Sequence, residues 1–199
     1  MHVIDSDFEL LLENLRTAYL SETHASSRYS GFAAQADEEG WFGVGCLFRA
    51  AAIAERIHAS NYGRILRELD GPIRCPPRQA DMGLTRENLS TALAEELFET
   101  EIMYPSFIEQ AVECEETTAV RTFTWALEAE KAHARLFNEA LSRMEIEAEE
   151  SWTRTARYFY VCPVCGFISE QESETEACHA CKCAWKRFGA IQVAPINAG

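Results

Sequence analysis

Four long amphipathic stretches of this chain carry glutamate or histidine where a buried helix stripe would normally carry leucine. In the first, Leu11, Leu15 and Ala18 lead to Glu22 before Ala25, Tyr29 and Phe32 resume the stripe. In the second, Leu47 and Ala51 lead to Glu55 and His58, followed by Tyr62 and Ile65. In the third, Leu89, Ala92 and Leu93 lead to Glu96 and Glu99, followed by Met103 and Phe107. The fourth places Glu130 and His133 on or beside the stripe of Phe123, Leu127, Phe137 and Leu141. Residues three or four apart share one helix face, so each polar group points where its apolar neighbours point. An isolated carboxylate in a dry interior costs on the order of tens of kcal/mol in the Born limit. Lys and Arg are missing from these stripes. Two divalent cations, by contrast, would nearly balance the five carboxylates. A Glu from each of two helices, with Glu-x-x-His from each of the other two, is the donor pattern of carboxylate-bridged di-iron and di-manganese bundles. Mixed carboxylate and imidazole ligands suit iron or manganese better than a soft metal.

The stretches run from Asp7 to about Asp37, from Trp41 to about Leu69, from Thr85 to about Cys114 and over roughly 117–148. The break EEG at 38–40 is so short that it implies an antiparallel hairpin. GPIRCPPRQADMG at 71–83 cannot continue a helix and reads as a long crossover. Thr85 is expected to cap the third helix, and Pro105 to kink it. Two hairpins joined by a long crossover make an all-α, ferritin-like four-helix bundle, in which antiparallel helices bring the polar positions to one level. After Ser151 the chain turns aromatic and β-prone, RYFYVCPVCGF. Residues 1–150 are therefore read as the bundle and 151–199 as a small C-terminal metal-binding β domain, too short to hold together without a staple.

VCPVCG at 161–166 and ACHAC at 177–181 supply that staple: CxxC, twelve residues, CxxC. Four thiolates at this spacing serve either structural zinc or a single Fe(SCys)4 centre, and the spacing does not choose between them. Cys183 is a fifth thiol that a tetrahedron does not need, while Cys46, Cys75 and Cys114 read as ordinary unpaired thiols. A chain of 199 residues, 47% hydrophobic, can bury a core, yet no segment approaches the uninterrupted apolar length of a membrane span. Net charge of −14 argues against nucleic acid or an anionic membrane as partner. MHVIDSDFELLLENL shows no secretory signal pattern, so a cytoplasmic location is expected.

The sequence resembles the rubrerythrin family in SETHASSRY at 21–29, EEGW at 38–41, ERIH at 55–58, NLSTALAEELFETEIMYPSF at 88–107, EKAH at 130–133 and the cysteine knuckles. The resemblance spans both parts in order. It implies di-iron ligands at Glu22, Glu55, His58, Glu96, Glu99, Glu130 and His133, with Glu55 and Glu130 as bridges. It implies a rubredoxin-type iron at Cys162, Cys165, Cys178 and Cys181, and tyrosines hydrogen-bonding near the di-iron site at Tyr29 and Tyr104. It further implies a peroxidase that reduces hydrogen peroxide to water, with the rubredoxin iron relaying electrons from a redox partner such as a reduced rubredoxin or an NAD(P)H-dependent reductase. Glu99 and His58 would alternate on one iron. A homodimer is implied, in which one chain's rubredoxin centre approaches the other's di-iron site. The chain departs from the family pattern at Glu95, where glycine is usual, and at CHACKC, where CPxCG is commoner; the second departure leaves zinc open at the four cysteines.

Two other functions fit the residues. One is a ferritin-type ferroxidase or iron-binding protein with a structural zinc ribbon; the other is a di-iron oxygenase. A relay centre is hard to explain in a protein that only stores iron, so peroxide reduction is the leading expectation.

Overall fold

The structure is a computed structural model that describes residues 6–73, 75, 81–145, 151–171 and 177–191. Helix α1 covers Ser6–Glu38 and α2 Phe42–Glu68, with Gly40 at φ +77 turning the chain between them. Across the crossover, α3 covers Thr85–Phe98, a π-helical turn Glu99–Met103, and α4 Tyr104–Glu113; α5 covers Thr117–Glu145. The four amphipathic stretches are thus four rods of one bundle, the third of them composite. No helix among the described residues is long and apolar enough to cross a membrane.

Pro105 explains the composite rod. It has no N–H to offer the carbonyl of Glu101, and its ring would strike that carbonyl in a regular α turn. The chain widens there, and Tyr104 N–H donates to Glu99 O, an i to i−5 bond. The interruption expected at Pro105 takes the form of a π turn that begins at Glu99. The expected cap also differs: Thr85 is the first helical residue and Leu84 holds the cap position. Side chains take over the capping, since Glu87 Oε2 accepts from Leu84 N at 2.9 Å and Glu39 Oε1 from Thr85 N at 3.0 Å.

The core explains why the site lies at mid-height. One apolar cluster joins Phe32, Phe48, Leu89 and Phe137 at one end of the bundle. A second joins Leu15, Tyr62, Tyr104 and Phe123 at the other. Between them, Glu22, Glu55, His58, Glu96, Glu130 and His133 are all buried. The bundle is a sandwich of apolar, polar and apolar layers.

Strands β1 (Phe159–Val161), β2 (Ile168–Ser169) and β3 (Gly189–Ile191) form an antiparallel sheet in the order β2-β1-β3. Tyr160 pairs with Ser169 and with Ala190. Phe159, Val161 and Ile168 join the first bundle cluster, so the small sheet shares its apolar face with the bundle. The boundary expected at 150/151 borders residues 146–150, which are outside the described residues.

Candidate metal centres

The seven residues expected in the bundle site converge on it from all four rods. Glu22 comes from α1, Glu55 and His58 from α2, Glu96 from α3, Glu99 from the π turn, and Glu130 and His133 from α5. Their donor atoms fall into two overlapping groups, each with atoms within 4.8 Å of one another. One contains Glu22, Glu55, His58 and Glu130; the other contains Glu55, Glu96, Glu130 and His133. Glu55 and Glu130 belong to both. Glu99 belongs to neither: it is 7% exposed, and its Oε1 accepts from Ser21 Oγ at 2.8 Å.

Neighbouring groups hold these side chains in place. Tyr29 OH donates to Glu96 Oε1 at 2.7 Å, and Tyr104 OH donates to Glu22 Oε1. Each imidazole is turned by the first cysteine knuckle: His58 Nε2 is 2.8 Å from Cys165 O, and His133 Nε2 is 3.1 Å from Gly166 O. A carbonyl can only accept, so both rings carry their proton on Nε2 and present Nδ1 to the carboxylates. Such a fixed tautomer is what a metal-ligating histidine requires.

The donor set fits metal. His133 Nδ1 lies 2.6 Å from Glu130 Oε2, yet neither atom makes a hydrogen bond of acceptable angle. Glu22 Oε2, Glu55 Oε1 and Glu96 Oε2 are likewise buried without hydrogen-bond partners among the described residues. So many unpartnered polar atoms in one dry layer would cost several kcal/mol as a polar core, on the order of 1–3 for each.

Titration tells the same story for the metal-free protein. Burial, reinforced by neighbouring carboxylates, holds Glu22, Glu96 and Glu99 well above the usual carboxylate range. Glu130 shifts downward, because His58 and His133 outweigh burial. Burial alone would lower His133, but Glu130 and Glu55 push it up to about 10. His58 is raised in the same way by Glu130 and Glu55. Without a metal, protons must do the neutralising.

The four cysteines expected at the second site are also gathered. Cys162 Sγ lies 3.5 Å from Cys181 Sγ, Cys165 Sγ lies 3.6 Å from Cys178 Sγ, and all four are unbridged by disulfide. A tetrahedron with metal–sulfur bonds of about 2.3 Å has edges of roughly 3.8 Å, so the spacing suits a single ion. Cys183 is buried in the same cluster and lies outside the four-sulfur group. The two knuckles turn at equivalent left-handed positions, Gly166 at φ +73 and Lys182 at φ +62. Lys182 thus stands where the commoner CPxCG pattern has glycine.

Sequence reading missed three groups here. Ser21 and the carbonyls of Cys165 and Gly166 carry no periodicity or spacing signal, because each acts through a contact between distant segments. Within this chain, the first cysteine knuckle reaches the bundle site through these two carbonyls.

A family sequence model described as Rubrerythrin matches residues 13–141. The chain belongs to the rubrerythrin family. It is 37% identical over 179 residues to Rubrerythrin-2 of Clostridium acetobutylicum, covering 89% of this chain and 94% of that protein. It is 33% identical over 171 residues to nigerythrin of Nitratidesulfovibrio vulgaris, covering 85% of this chain and 81% of that one. Among solved structures, the fully reduced, all-ferrous state of nigerythrin superposes with a TM-score of 0.81 at 31% identity, over 96% of this chain and 89% of that chain. A bacterioferritin from Rhodobacter capsulatus superposes at 0.64 and 20% identity over 73% of this chain and 91% of that chain, which reflects the shared bundle fold. Rubrerythrin membership therefore covers the carboxylate bundle, and the nigerythrin likeness extends across the four-cysteine region as well.

Proposed function

We propose that this member of the rubrerythrin family is a cytoplasmic peroxide reductase, with two irons in the bundle, one at the four cysteines, and a domain boundary near residue 150. The observation that carries this reading is the junction between the two centres: the knuckle that bears Cys165 also supplies the carbonyls bonded to His58 and His133. A purely structural zinc ribbon has no need to touch both imidazoles of a buried carboxylate site, whereas an electron relay gains from that proximity. Iron held by Glu22, Glu55, His58, Glu96, Glu130 and His133 would supply the two electrons in H2O2 + 2 e⁻ + 2 H⁺ → 2 H2O.

The chain's own residues set the conditions for that reaction. Tyr29 and Tyr104 hold Glu96 and Glu22 so that their free oxygens face inward. The two apolar clusters shut water out from above and below. Ser21 holds Glu99 just outside the group that contains His58. We read Glu99 and His58 as alternates: loss of the Ser21 bond frees Glu99 to turn inward as His58 turns away. An anionic oxygen donor suits the harder ferric state, and imidazole the ferrous one. Electrons would come from a reduced rubredoxin or an NAD(P)H-dependent reductase, and a homodimer is the expected assembly.

Stopped-flow mixing of the fully reduced protein with hydrogen peroxide or with oxygen tests the reading. The expected result is reoxidation by peroxide much faster than by oxygen, with the red ferric Fe(SCys)4 colour returning afterwards. Glu99→Ala should slow the peroxide reaction selectively, and His58→Ala should mainly disturb the reduced state. A colourless, zinc-bearing four-cysteine centre with oxygen as the faster oxidant would overturn the proposal in favour of a ferroxidase.

A further inference from the structure

Charge is unevenly placed along this chain. Residues 151–199 hold five of the 18 Lys and Arg and four of the 32 Asp and Glu, so the net charge of −14 rests almost wholly on the bundle part. All four of those acids precede Ala177. From Ala177 to Ile191, the stretch that forms the second knuckle and β3, there is no Asp or Glu, while Lys182, Lys186 and Arg187 are all exposed. Among the described residues none of the three pairs with a carboxylate, and Lys182 Nζ donates only to His179 O, at 2.9 Å.

The four-cysteine centre has an inner and an outer side. Its first knuckle faces the bundle, where the carbonyls of Cys165 and Gly166 meet His58 and His133. Cys162, Cys165 and Cys178 are at most 2% exposed, whereas Cys181 is only half-buried. The approach from solvent is thus at Cys181, and Lys182 follows it directly. Lys182 sits at φ +62, where glycine would be at ease, so its side chain is kept beside Cys181 against a backbone cost. Burial and Cys162 push the Cys183 thiol up while Arg187 pulls it down, so that guanidinium also lies near the sulfurs. Trp185 and Phe188 flank Lys186 and Arg187 in the chain, half-buried with ring centroids 4.1 Å apart, and Phe188 packs on the cysteine cluster. Aromatic side chains beside arginine are what protein interfaces favour.

We propose that the cationic rim around Cys181 docks a small, strongly acidic electron-transfer protein, the donor for the reaction proposed above, on which this inference rests. The acidic bundle repels such a donor and the rim attracts it, so encounter is steered to the side from which the relay runs inward. Each docking passes one electron, the donor being oxidised and the four-cysteine centre reduced. Two dockings match the two electrons that one peroxide takes.

The test uses the full-length, iron-loaded protein without oxygen or peroxide. Fully reduced flavodoxin, a small acidic flavoprotein, is mixed with it at low and high salt, and bleaching of the red centre is followed beside the blue flavin semiquinone. The triple variant Lys182→Gln, Lys186→Gln and Arg187→Gln should slow bleaching about tenfold at low salt and lose most of its salt dependence. A control triple, Arg64→Gln, Arg86→Gln and Arg143→Gln, removes the same charge from exposed bundle positions and should stay within about twofold. Lys182→Gly should slow the reaction about threefold while raising the melting temperature, an opposition that a purely structural lysine would not produce. A second readout needs no electron transfer: in calorimetry with oxidised flavodoxin, the zinc-loaded rim triple should bind about tenfold more weakly than the zinc-loaded wild type. If peroxide fails to reoxidise the protein, the peroxide reading falls while calorimetry still decides the docking. A rim triple that matches wild type in rate and affinity would overturn the proposal, as would a control triple that falls equally far. Faster reduction by NADPH alone, with its KM raised in the rim triple, would make the rim a phosphate site and overturn the protein partner.

Discussion

Gly166→Ala is the sharpest single test of how the cysteine knuckle sits on the bundle. Gly166 lies at φ +73, in the left-handed region, and a Cβ there would stand 2.4 Å from His58 Nε2, 2.9 Å from His58 Cδ2 and 3.1 Å from Ala54 O. Left-handed backbone costs a non-glycine residue about 1–2 kcal/mol. The clash adds to this, because His58 is buried on a packed helix and Ala54 O is backbone. The knuckle can relieve the clash only by lifting away. Lifting would break His58 to Cys165 O, His133 to Gly166 O and Asn61 Nδ2 to Val164 O, each at 2.8–3.1 Å. At about 1 kcal/mol net for each bond, the substitution should cost roughly 4–5 kcal/mol in total. Gly189→Ala is the control, since a Cβ there meets nothing within 4 Å. Denaturant unfolding and amide exchange across 162–167 in the zinc-loaded protein measure the difference. Gly166→Ala should unfold at lower denaturant and lose protection in the knuckle. An unfolding free energy within about 0.5 kcal/mol of the control, with protection intact, would refute the docking argument.

Other consequences are independent of that one. Glu130 lies 2.8 Å from His58 Nδ1 and 2.6 Å from His133 Nδ1, whereas Glu22 belongs to one donor group only; titration should therefore show Glu130→Ala losing far more metal affinity than Glu22→Ala. In the metal-free protein His133 is raised from 6.5 to about 10, so its contribution to stability is complete below about pH 6.5 and lost as pH rises through 10. Glu22, Glu96 and Glu99, raised by burial, act in the same sense above about pH 4.5, so the metal-free protein should melt at lower temperature as pH rises from 6.5 to 10, and added Fe(II) should abolish the trend while releasing protons. Lys182→Gly should stabilise the zinc-loaded protein by about 1 kcal/mol, because Lys182 holds φ +62. An unchanged melting temperature in that variant would show the second knuckle to be unstrained.

What could be read from sequence was whatever one helix expresses by itself. A carboxylate on an apolar stripe is visible because periodicity fixes the face, and two such stripes meeting at one level follow from antiparallel packing. Pro105 shows the limit of that reading. Proline forbids one hydrogen bond, but the backbone has two answers, a bend or a widened turn, and which is cheaper depends on the neighbours. Here Met103 and Tyr104 are buried in the second apolar cluster, and Tyr104 must reach Glu22. One π turn absorbs the missing bond and keeps Tyr104 inside. The same turn leaves Glu99 on a locally widened backbone at the edge of the polar layer, held by Ser21 from another helix. A carboxylate proposed to move needs a backbone that does not clamp it and a partner it can give up. The π turn supplies the first and Ser21 the second, and neither is visible in Glu-Glu-Leu-Phe-Glu read alone. Thr85 fails in a parallel way: it was expected to cap α3, but Leu84 holds the cap position and Glu39, forty-six positions upstream, accepts from the Thr85 amide. Long-range contacts of this kind decide which of several locally acceptable arrangements the chain adopts, and at this site they fall on the groups whose movement the proposed chemistry requires.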